Sequence, residues 1–283
     1  MTGLLIGVVA ISLSSVMVVL SGAAPEVAGF YRLFGGGLGL LFILARQGKM
    51  QQLTPHVWKW GVLAAIFFAG DIVFWHRSIA YVGPGLSTML ANFQVIPLAI
   101  VSALFFKERM TVRMGLAIVL VLVGLYLMVG VGWDAFTADY RLGVAYGLLT
   151  ACFYALYLLS LKYSLAKTGA DPLAMAAVAA LLSGVLLGGM GVAGDESFVV
   201  TGVQPIMALI TLALLCHATG WYLITRSIQA VKGALVGLLL LLQPPLSFLW
   251  DILLFDKPIN VIELAGVGLA LVGIYIGSLK AEK

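Results

Sequence analysis

The chain has 283 residues, of which 62% are hydrophobic and only 10% charged, and its mean hydropathy is +1.11. Soluble domains carry about 45–50% apolar and about 25% charged residues, so this composition excludes a water-soluble protein, a disordered chain and a coiled coil. The net charge of +4 is small and scattered along the sequence, which excludes a basic nucleic-acid-binding surface. We therefore predict an all-α, polytopic membrane protein whose surroundings are lipid.

Charge clusters, prolines and glycines divide the chain into ten apolar runs. A helix needs roughly 20 apolar residues to cross the hydrocarbon core, and each run is about that long. The predicted transmembrane helices are 3–21, 27–46, 57–80, 84–106, 112–132, 141–165, 172–193, 205–228, 233–255 and 261–279. Pro25, Pro84, Pro172 and Pro205 lie at or just before the starts of four runs, where a missing N–H costs least. The short connections leave no room for a soluble catalytic domain.

The placement of lysine and arginine predicts the orientation. If the N-terminus is cytoplasmic, twelve basic residues fall on the inside, while the outside loops and adjoining helix ends hold only Arg77, Arg141 and Lys257. Basic residues accumulate in cytoplasmic loops. We expect both termini of this multi-pass membrane protein to be cytoplasmic.

The two halves of the sequence resemble each other at an offset of 149 residues. Residues 77–79 (Arg-Ser-Ile) recur at 226–228, and Gln94 recurs as Gln243. Five helices per half is an odd number, so the second copy enters the membrane from the opposite side. Inverted repeats are typical of secondary transporters, with the substrate site near the midplane between the copies. We predict two inverted five-helix repeats, residues 1–132 and 133–283; a duplication that serves packing alone is the alternative.

One face of the third helix concentrates polar and aromatic residues. Phe68, Asp71, Trp75 and His76 recur at helical spacing, although each intramembrane charge costs about 2.5–3.5 kcal/mol on insertion scales. Shifted by 149 residues, this face falls on the eighth helix and includes His217 and Trp221. These two faces are candidates for the lining of a pathway. For single residues, an interfacial Trp or a packing His is the competing interpretation.

The sixth helix carries an aromatic stripe, formed by Tyr146, Thr150, Phe153, Tyr154 and Tyr157. Such a stripe stacks against a substrate ring, or it forms a lipid-facing or helix-packing surface. The residues alone do not decide between these interpretations.

Helices four and nine carry glutamines at equivalent positions. Gln94 and Gln243 precede prolines that interrupt the helix and free a backbone carbonyl one turn back. Trp250 shares the face of Gln243, whereas Asn92 points away from Gln94. The candidate pathway residues are Phe68, Asp71, Trp75, His76, Gln94, Tyr154, Tyr157, His217, Trp221, Gln243 and Trp250.

Three further features are given structural interpretations. Arg32, about six residues inside helix two, pairs with Glu26, snorkels outward, or attracts an anionic group near the outer mouth, and the structural roles are favoured. Cys152 and Cys216 lie in apolar runs and are predicted to be buried free thiols. Small-residue packing faces are predicted at Gly35-x-x-x-Gly39, Gly184-x-x-x-Gly188 and Gly273-x-x-x-Gly277.

The chain resembles the drug/metabolite transporter superfamily, in particular its EamA-domain members. The motifs that carry this resemblance are Pro25-x6-Arg32, Ala80-x3-Pro84, residues 106–109 (Phe-Lys-Glu-Arg) and Gly124-x-Tyr126. Within the superfamily it is most similar to bacterial aromatic amino-acid exporters of the YddG type. The resemblance implies export of small metabolites, most favourably aromatic or hydrophobic amino acids, by alternating access.

Other functional classes fit the sequence less well. The three histidines and one deep aspartate share no catalytic or metal-ligand spacing, so we expect no enzyme, cofactor or metal site. A channel lacks the expected ring of polar or charged residues, while a multidrug or other metabolite carrier of the same superfamily stays open. Proton coupling and facilitated diffusion also stay open. Two similar halves already contain a complete pathway, so we expect a monomer.

Overall fold

The computed structural model of the chain describes residues 2–94, 96–97, 112–127, 133, 136–228, 242–258 and 260–278. Within these ranges the regular secondary structure is helical, without strands. The predicted positions 98–106, 128–132 and 233–241, and the motif at 106–109, lie outside the described residues.

The described part of the first half folds into helical segments that we number α1–α5. Their bounds are α1 Thr2–Ser21 (interrupted at Leu13), α2 Pro25–Arg46, α3 Pro55–Val82, α4 Pro84–Ala91 with a 3₁₀ turn at Asn92–Gln94, and α5 Val112–Leu125. In α2, residues Tyr31–Gly35 form a π-helical stretch.

The second half continues with α6–α10. Their bounds are α6 Ala138–Thr168, α7 Pro172–Ala193, α8 (Val203–Ile210, the π-helical stretch Thr211–Thr219 and Gly220–Ile228), α9 Gln243–Phe255 and α10 Val261–Ser278. Pro25, Pro84 and Pro172 are the first residues of their helices, as the sequence predicts, and Pro205 lies in the first turn of α8.

Six helical stretches in the described ranges are long and apolar enough to cross a membrane. They are Thr2–Ser21, Pro25–Arg46, Pro55–Val82, Ala138–Leu165, Pro172–Ala193 and Val203–Ile224. Shorter apolar helices cover Gly115–Leu125 and Val261–Ile276. The prediction of a polytopic, all-helical membrane protein is thereby confirmed for the described chain. The count of ten crossings and the orientation of the termini stay predictions.

The helices pack in pairs that join the first half to the second. The most extensive pair is α3 with α6, and α1 packs against α8. Equivalent helices also meet each other, because α2 contacts α7, α4 contacts α9 and α5 contacts α10. Further contacts join α2 to α8, α3 to α7, α1 to α9 and α4 to α6.

Glycines allow several of these crossings to be close. A Cβ at Gly184 of α7 would lie 2.6 Å from the backbone nitrogen of Phe34 in α2, and one at Gly273 of α10 would lie 2.9 Å from the carbonyl oxygen of Ala117 in α5. Small residues at membrane helix interfaces let backbones approach in this way. The packing interpretation of these two glycines is confirmed.

Polar contacts tie the loops at the two ends of the bundle. At what we call the Lys49 end, the Lys49 Nζ lies 2.5 Å from Asp171 Oδ2, which joins the α2–α3 loop to the start of α7. At the opposite end, the Glu26 end, Arg77 donates to the Glu26 carboxylate through Nε (3.1 Å) and Nη2. The Tyr31 hydroxyl there donates to the Phe198 carbonyl in the α7–α8 loop at 2.8 Å.

Candidate functional site

Arg32 of α2 is turned into the bundle rather than toward its end. The side chain lies in the π-helical stretch, is 6% exposed, and places its guanidinium carbon 4.9 Å from the centroid of the Trp75 ring. Glu26 pairs with Arg77 instead. The predicted Arg32–Glu26 pair and the outward snorkelling are therefore both wrong, and Arg32 forms a buried cation–π contact with α3.

The donors of Arg32 are only partly used. Among the described residues, neither its Nε nor its Nη1 has a hydrogen-bond partner, although both atoms are buried. Asp71 of α3 is also buried, at 6% exposure, and lies one helical turn before Trp75, whose ring contacts the Arg32 guanidinium. The two side chains nevertheless form no salt bridge within 4.0 Å. The site thus holds a guanidinium and a carboxyl group on adjacent helices that form no salt bridge with each other.

Beside these charges, aromatic rings from three helices form a stack. The Phe68 ring of α3 lies 4.3 Å from the Tyr157 ring of α6, centroid to centroid, with an interplanar angle of 11°. The ring of His217, on α8, is 5.9 Å from the Phe68 ring, centroid to centroid. The ring of Tyr154, on α6, is 6.1 Å from the Tyr157 ring. Phe68, Tyr157 and His217 are each 3% exposed or less. We call Phe68, Tyr154, Tyr157 and His217 the aromatic stack.

Gly36 of α2 supports the position of His217. A Cβ at Gly36 would lie 2.5 Å from His217 Cδ2 and 2.9 Å from His217 Cβ, so only glycine lets the imidazole lie against α2. The Nδ1 atom of His217 is buried and has no hydrogen-bond partner among the described residues. The imidazole therefore has one ring nitrogen free for a ligand.

The other two residues of the α3 face have different roles. Trp75 is 8% exposed and packs among residues of α1, α2 and α8, so its interpretation as an interfacial anchor is wrong. His76 Nδ1 lies 2.9 Å from the Pro25 carbonyl oxygen, which ties α3 to the first turn of α2. This contact favours the packing interpretation of His76, although its Nε2 atom has no partner among the described residues.

The aromatic stripe of α6 divides between two roles. Tyr154 and Tyr157 belong to the aromatic stack, whereas the Phe153 ring packs 5.2 Å from Phe74 of α3. Tyr146 packs against the same Phe74 ring at 5.8 Å. These ring contacts support the helix-packing interpretation for Phe153 and Tyr146, while stacking of Tyr154 and Tyr157 against a substrate ring stays a prediction.

Of the two predicted glutamines, Gln94 has the clearer environment. It ends the 3₁₀ turn after α4, and its buried Oε1 atom has no hydrogen-bond partner among the described residues. The neighbouring Asn92 donates to the Thr88 carbonyl at 2.8 Å and is satisfied within its own helix. Gln243 is half-buried and is the first residue of α9, directly before Pro244.

Two predicted tryptophans lie apart from the aromatic stack. Trp250 Nε1 donates to Ser12 Oγ at 3.0 Å, and Ser247 donates to the Ser12 carbonyl at 3.0 Å, so α9 is bound to α1 where α1 is interrupted. Trp221 is half-buried, and no ring contact within the described chain joins it to the aromatic stack. No ring contact in the described ranges joins either tryptophan to the aromatic stack.

The two cysteines differ in burial, and the described residues form no cluster of metal ligands. Cys216 is buried, but Cys152 is exposed on α6, so the prediction that it is buried is wrong. In the described ranges, no three His, Cys, Asp or Glu side chains are grouped so that they could hold a metal ion.

Known proteins are similar to this chain in sequence and in fold. A protein of Archaeoglobus fulgidus named an uncharacterized transporter is 24% identical over 243 residues, which cover 84% of this chain and 82% of the relative. A Haemophilus influenzae protein of the same name is 24% identical over 153 residues, so the chain spans about half the length of that relative (50%). One protein crystal structure, at 19% identity, superimposes with a TM-score of 0.67 over 97% of this chain and 96% of that one.

The family assignment covers nearly the whole sequence. The sequence profile of the EamA-like transporter family matches residues 1–130 and residues 141–279. The helical fold, the candidate membrane spans and the transporter relatives agree with that match. This chain belongs to the EamA-like transporter family, whose members are membrane transporters of small metabolites and not enzymes.

Proposed function

We propose that this protein is a secondary transporter of the bacterial inner membrane that exports aromatic and hydrophobic amino acids by alternating access. The observation that carries the proposal is the buried aromatic stack beside Arg32. Phe68 and Tyr157 have parallel rings 4.3 Å apart. The guanidinium of Arg32 on α2 lies against Trp75 of α3, and its Nε and Nη1 atoms have no hydrogen-bond partner among the described residues. A phenyl or indole ring next to a carboxylate matches this combination of aromatic surface and positive charge.

Contacts between equivalent residues support a site located between two repeats. Phe68 and His217 are 149 residues apart, and their rings touch. Residues related by a two-fold axis can contact each other only close to that axis. Reciprocal contacts elsewhere follow the same offset, because Gly124 meets Ala270 while Gly273 meets Val121.

The pairing of helices fits the same arrangement. If α1–α5 and α6–α10 are inverted copies, the pair α1–α8 must be matched by α6–α3, and α2–α8 by α7–α3. Each of these pairs is in contact, as are the self-matched pairs α2–α7, α4–α9 and α5–α10. This pairing supports two repeats over residues 1–132 and 133–283 as the elements that move during alternating access.

The expected affinity is low. Burying 150–250 Å² of an aromatic side chain contributes roughly 4–6 kcal/mol at about 25 cal/mol per Å². Ordering the ligand and the surrounding side chains costs several kcal/mol of this gain. We therefore expect dissociation constants in the millimolar range. Because two repeats already contain a complete pathway, we expect a single protomer to be the transporting unit. Weak binding suits an exporter, which must release its cargo.

A carrier of cationic drugs or other metabolites is the second candidate. Asp71 is a buried carboxylate on the same face as Phe68, and such a group attracts a cationic aromatic compound. Arg32 opposes this candidate, because its positive charge lies against Trp75, one helical turn from Asp71, and would repel a cationic ligand. The balance of the two charges therefore separates the candidates.

Efflux from proteoliposomes tests the proposal. Vesicles are loaded separately with Phe, Trp, Tyr, Leu, Thr or a cationic dye, and release is followed for wild type, Phe68→Leu and Tyr157→Leu. We expect selective release of aromatic amino acids that both substitutions reduce. The matched control is Phe42→Leu, because Phe42 lies on α2 with its side chain 64% exposed. Dye release without amino-acid flux would contradict the proposal.

A further inference from the structure

Arg32 is the most unusual buried group of the described chain. Its side chain is 94% removed from solvent contact (6% exposed), yet donors on two of its three nitrogens have no partner among the described residues. The Trp75 ring, 4.9 Å from the guanidinium carbon, offers an attractive face but no hydrogen-bond acceptor. A buried charge in this state is strongly stabilised by any anionic group that reaches it.

Asp71 is the complementary group. It lies on α3 one helical turn before Trp75, whose ring contacts the Arg32 guanidinium, and it is 6% exposed. A direct Arg32–Asp71 salt bridge would neutralise both charges, but these two described side chains do not make one. The protein instead places a guanidinium and a carboxyl group in the same buried region without a salt bridge between them.

An α-amino acid needs one binding partner for its carboxylate and another for its ammonium group, and Arg32 and Asp71 are suited to these two parts. Its carboxylate accepts hydrogen bonds from a guanidinium, its ammonium group donates to a carboxylate, and a single carbon joins the two. The side chain of the ligand then extends from that carbon to neighbouring surface, and Phe68 lies one turn before Asp71 on the same face of α3. The aromatic stack is thus placed to receive a ring while the charged groups bind the backbone of the ligand.

We propose that Arg32 and Asp71 are the specificity-determining pair for zwitterionic substrates: Arg32 binds the α-carboxylate and Asp71 binds the α-ammonium group. This inference rests on the proposed function and names the part of the substrate that the site recognises. Trp75 is a positioning residue, because its ring holds the guanidinium from one side. The aromatic stack selects the side chain, while the pair selects amino acids over amines and over carboxylic acids.

Competition against wild-type transport tests the pair without any substitution. Efflux of labelled phenylalanine is measured with unlabelled phenylalanine, with phenethylamine, which lacks the carboxylate, and with 3-phenylpropanoate, which lacks the amine. We expect each analogue to compete at least tenfold less well than phenylalanine. If either analogue competes as well as phenylalanine, the assignment of the group that it lacks is overturned.

Substitutions then assign each charge to one group of the substrate. Arg32→Gln is expected to abolish the preference for phenylalanine over phenethylamine while keeping the preference over 3-phenylpropanoate. Asp71→Asn is expected to show the opposite pattern. The matched control is Arg77→Gln, since Arg77 pairs with Glu26 at the end of the bundle and should leave both preferences unchanged. The readout is a ratio of competitors, so it does not depend on how much protein folds.

A purely structural role for Arg32 has a different signature. In that case Arg32→Gln weakens the binding of all three compounds by the same factor. This outcome would overturn the assignment of Arg32 to the carboxylate. Should Arg32→Gln fail to fold, Arg32→Lys keeps the charge and replaces the planar fork, and it must still discriminate against phenethylamine. A wild-type protein that moves no aromatic amino acid refutes the proposed function itself. Phenylalanine transport with undiminished competition by phenethylamine refutes this inference alone.

Discussion

Replacing Gly36 by alanine tests the geometry of the site most directly. The new Cβ would lie 2.5 Å from His217 Cδ2, 2.8 Å from Cγ and 2.9 Å from Cβ. Favourable carbon–carbon contacts lie at about 3.5–4.0 Å, so the imidazole must retreat by about 1 Å. Because the clash includes the Cβ atom of His217, a change of rotamer cannot relieve it fully, and α2 and α8 must separate.

The change in the free energy of unfolding caused by Gly36→Ala is the sum of two opposing effects. Overpacking of this kind costs about 1–3 kcal/mol, whereas alanine stabilises a helix by about 1 kcal/mol relative to glycine. The matched control is Gly189→Ala on α7, where a Cβ has no neighbour within 4 Å. In that variant only the higher helix propensity of alanine changes the stability. Relative to that control, Gly36→Ala is expected to lower the free energy of unfolding by about 1–3 kcal/mol.

Thermal unfolding in detergent and efflux of phenylalanine are the assays. A loss of 1 kcal/mol shifts the midpoint by roughly 2–4 °C, so the two alanine variants are readily distinguished. Gly36→Ala should also impair efflux, because His217 moves away from Phe68. The double substitution Gly36→Ala/His217→Ala is expected to recover part of the stability but not the transport. Equal midpoints for Gly36→Ala and Gly189→Ala would refute the reasoning.

Substitutions at three other polar contacts test how much each contact contributes to stability. Asp171→Asn should cost less than 1 kcal/mol, since Lys49 is 44% exposed, whereas Asp171→Ala also loses the cap of α7 and about 1 kcal/mol more, as chemical denaturation would show. Glu26→Gln should lower the free energy of unfolding by about 1–2 kcal/mol, because the nearly buried Glu26 carboxylate is lost together with its charge-assisted hydrogen bonds to Arg77. A double-mutant cycle with Arg77→Gln should give a coupling energy above about 0.5 kcal/mol. Trp250→Phe should lower stability by about 1 kcal/mol through its lost bond to α1, while initial rates of efflux stay within about twofold; a larger effect on efflux would contradict a structural role.

Helix positions and the polar face of α3 could be predicted because both depend on short-range patterns. Hydropathy and proline placement located the starts of α2, α4 and α7. Helical spacing placed Phe68, Asp71 and Trp75 on one face, and the structure buries all three. A period of 3.6 residues fixes which side chains share a face, whatever the rest of the chain does.

Of the three roles that the sequence allows for Arg32, the pair with Glu26 and the outward snorkelling are wrong, while attraction of an anionic group stays a prediction. Glu26 and Arg32 are six residues apart, which places them about 240° apart around a regular helix. The π-helical stretch Tyr31–Gly35 alters the register further, and no sequence pattern indicated it. A stronger signal was available, since an ionisable residue several positions inside a span is a functional candidate by default. Spatial neighbours of such a residue come from other helices, and hydropathy does not identify them.

Cys152 and Trp250 show two further limits of sequence patterns in membrane proteins. Lipid is as apolar as a protein core, so an apolar run does not tell which face of α6 is buried, and Cys152 is exposed. Trp250 shares a face with Gln243, but its indole nitrogen binds Ser12, 238 residues away. Such a bond depends on the interruption of α1 and on the crossing of two distant helices, and neither is encoded in local spacing.

The backbone contacts follow a two-fold pattern, while the charges of the site do not. At an offset of 149 residues, Arg32 corresponds to Leu181 and Asp71 to Gly220, so both buried charges come from the first half. Phe68 corresponds to His217, and these two rings meet between the halves. Under the proposed mechanism, symmetric helix contacts permit two equivalent opening motions, one to each side of the membrane. The asymmetric charges keep the polar end of the substrate on the first repeat during both motions, with its ring against the rings shared by both. A substrate held this way crosses without reorienting, and the selectivity for amino acids should therefore be the same whether efflux or uptake is measured.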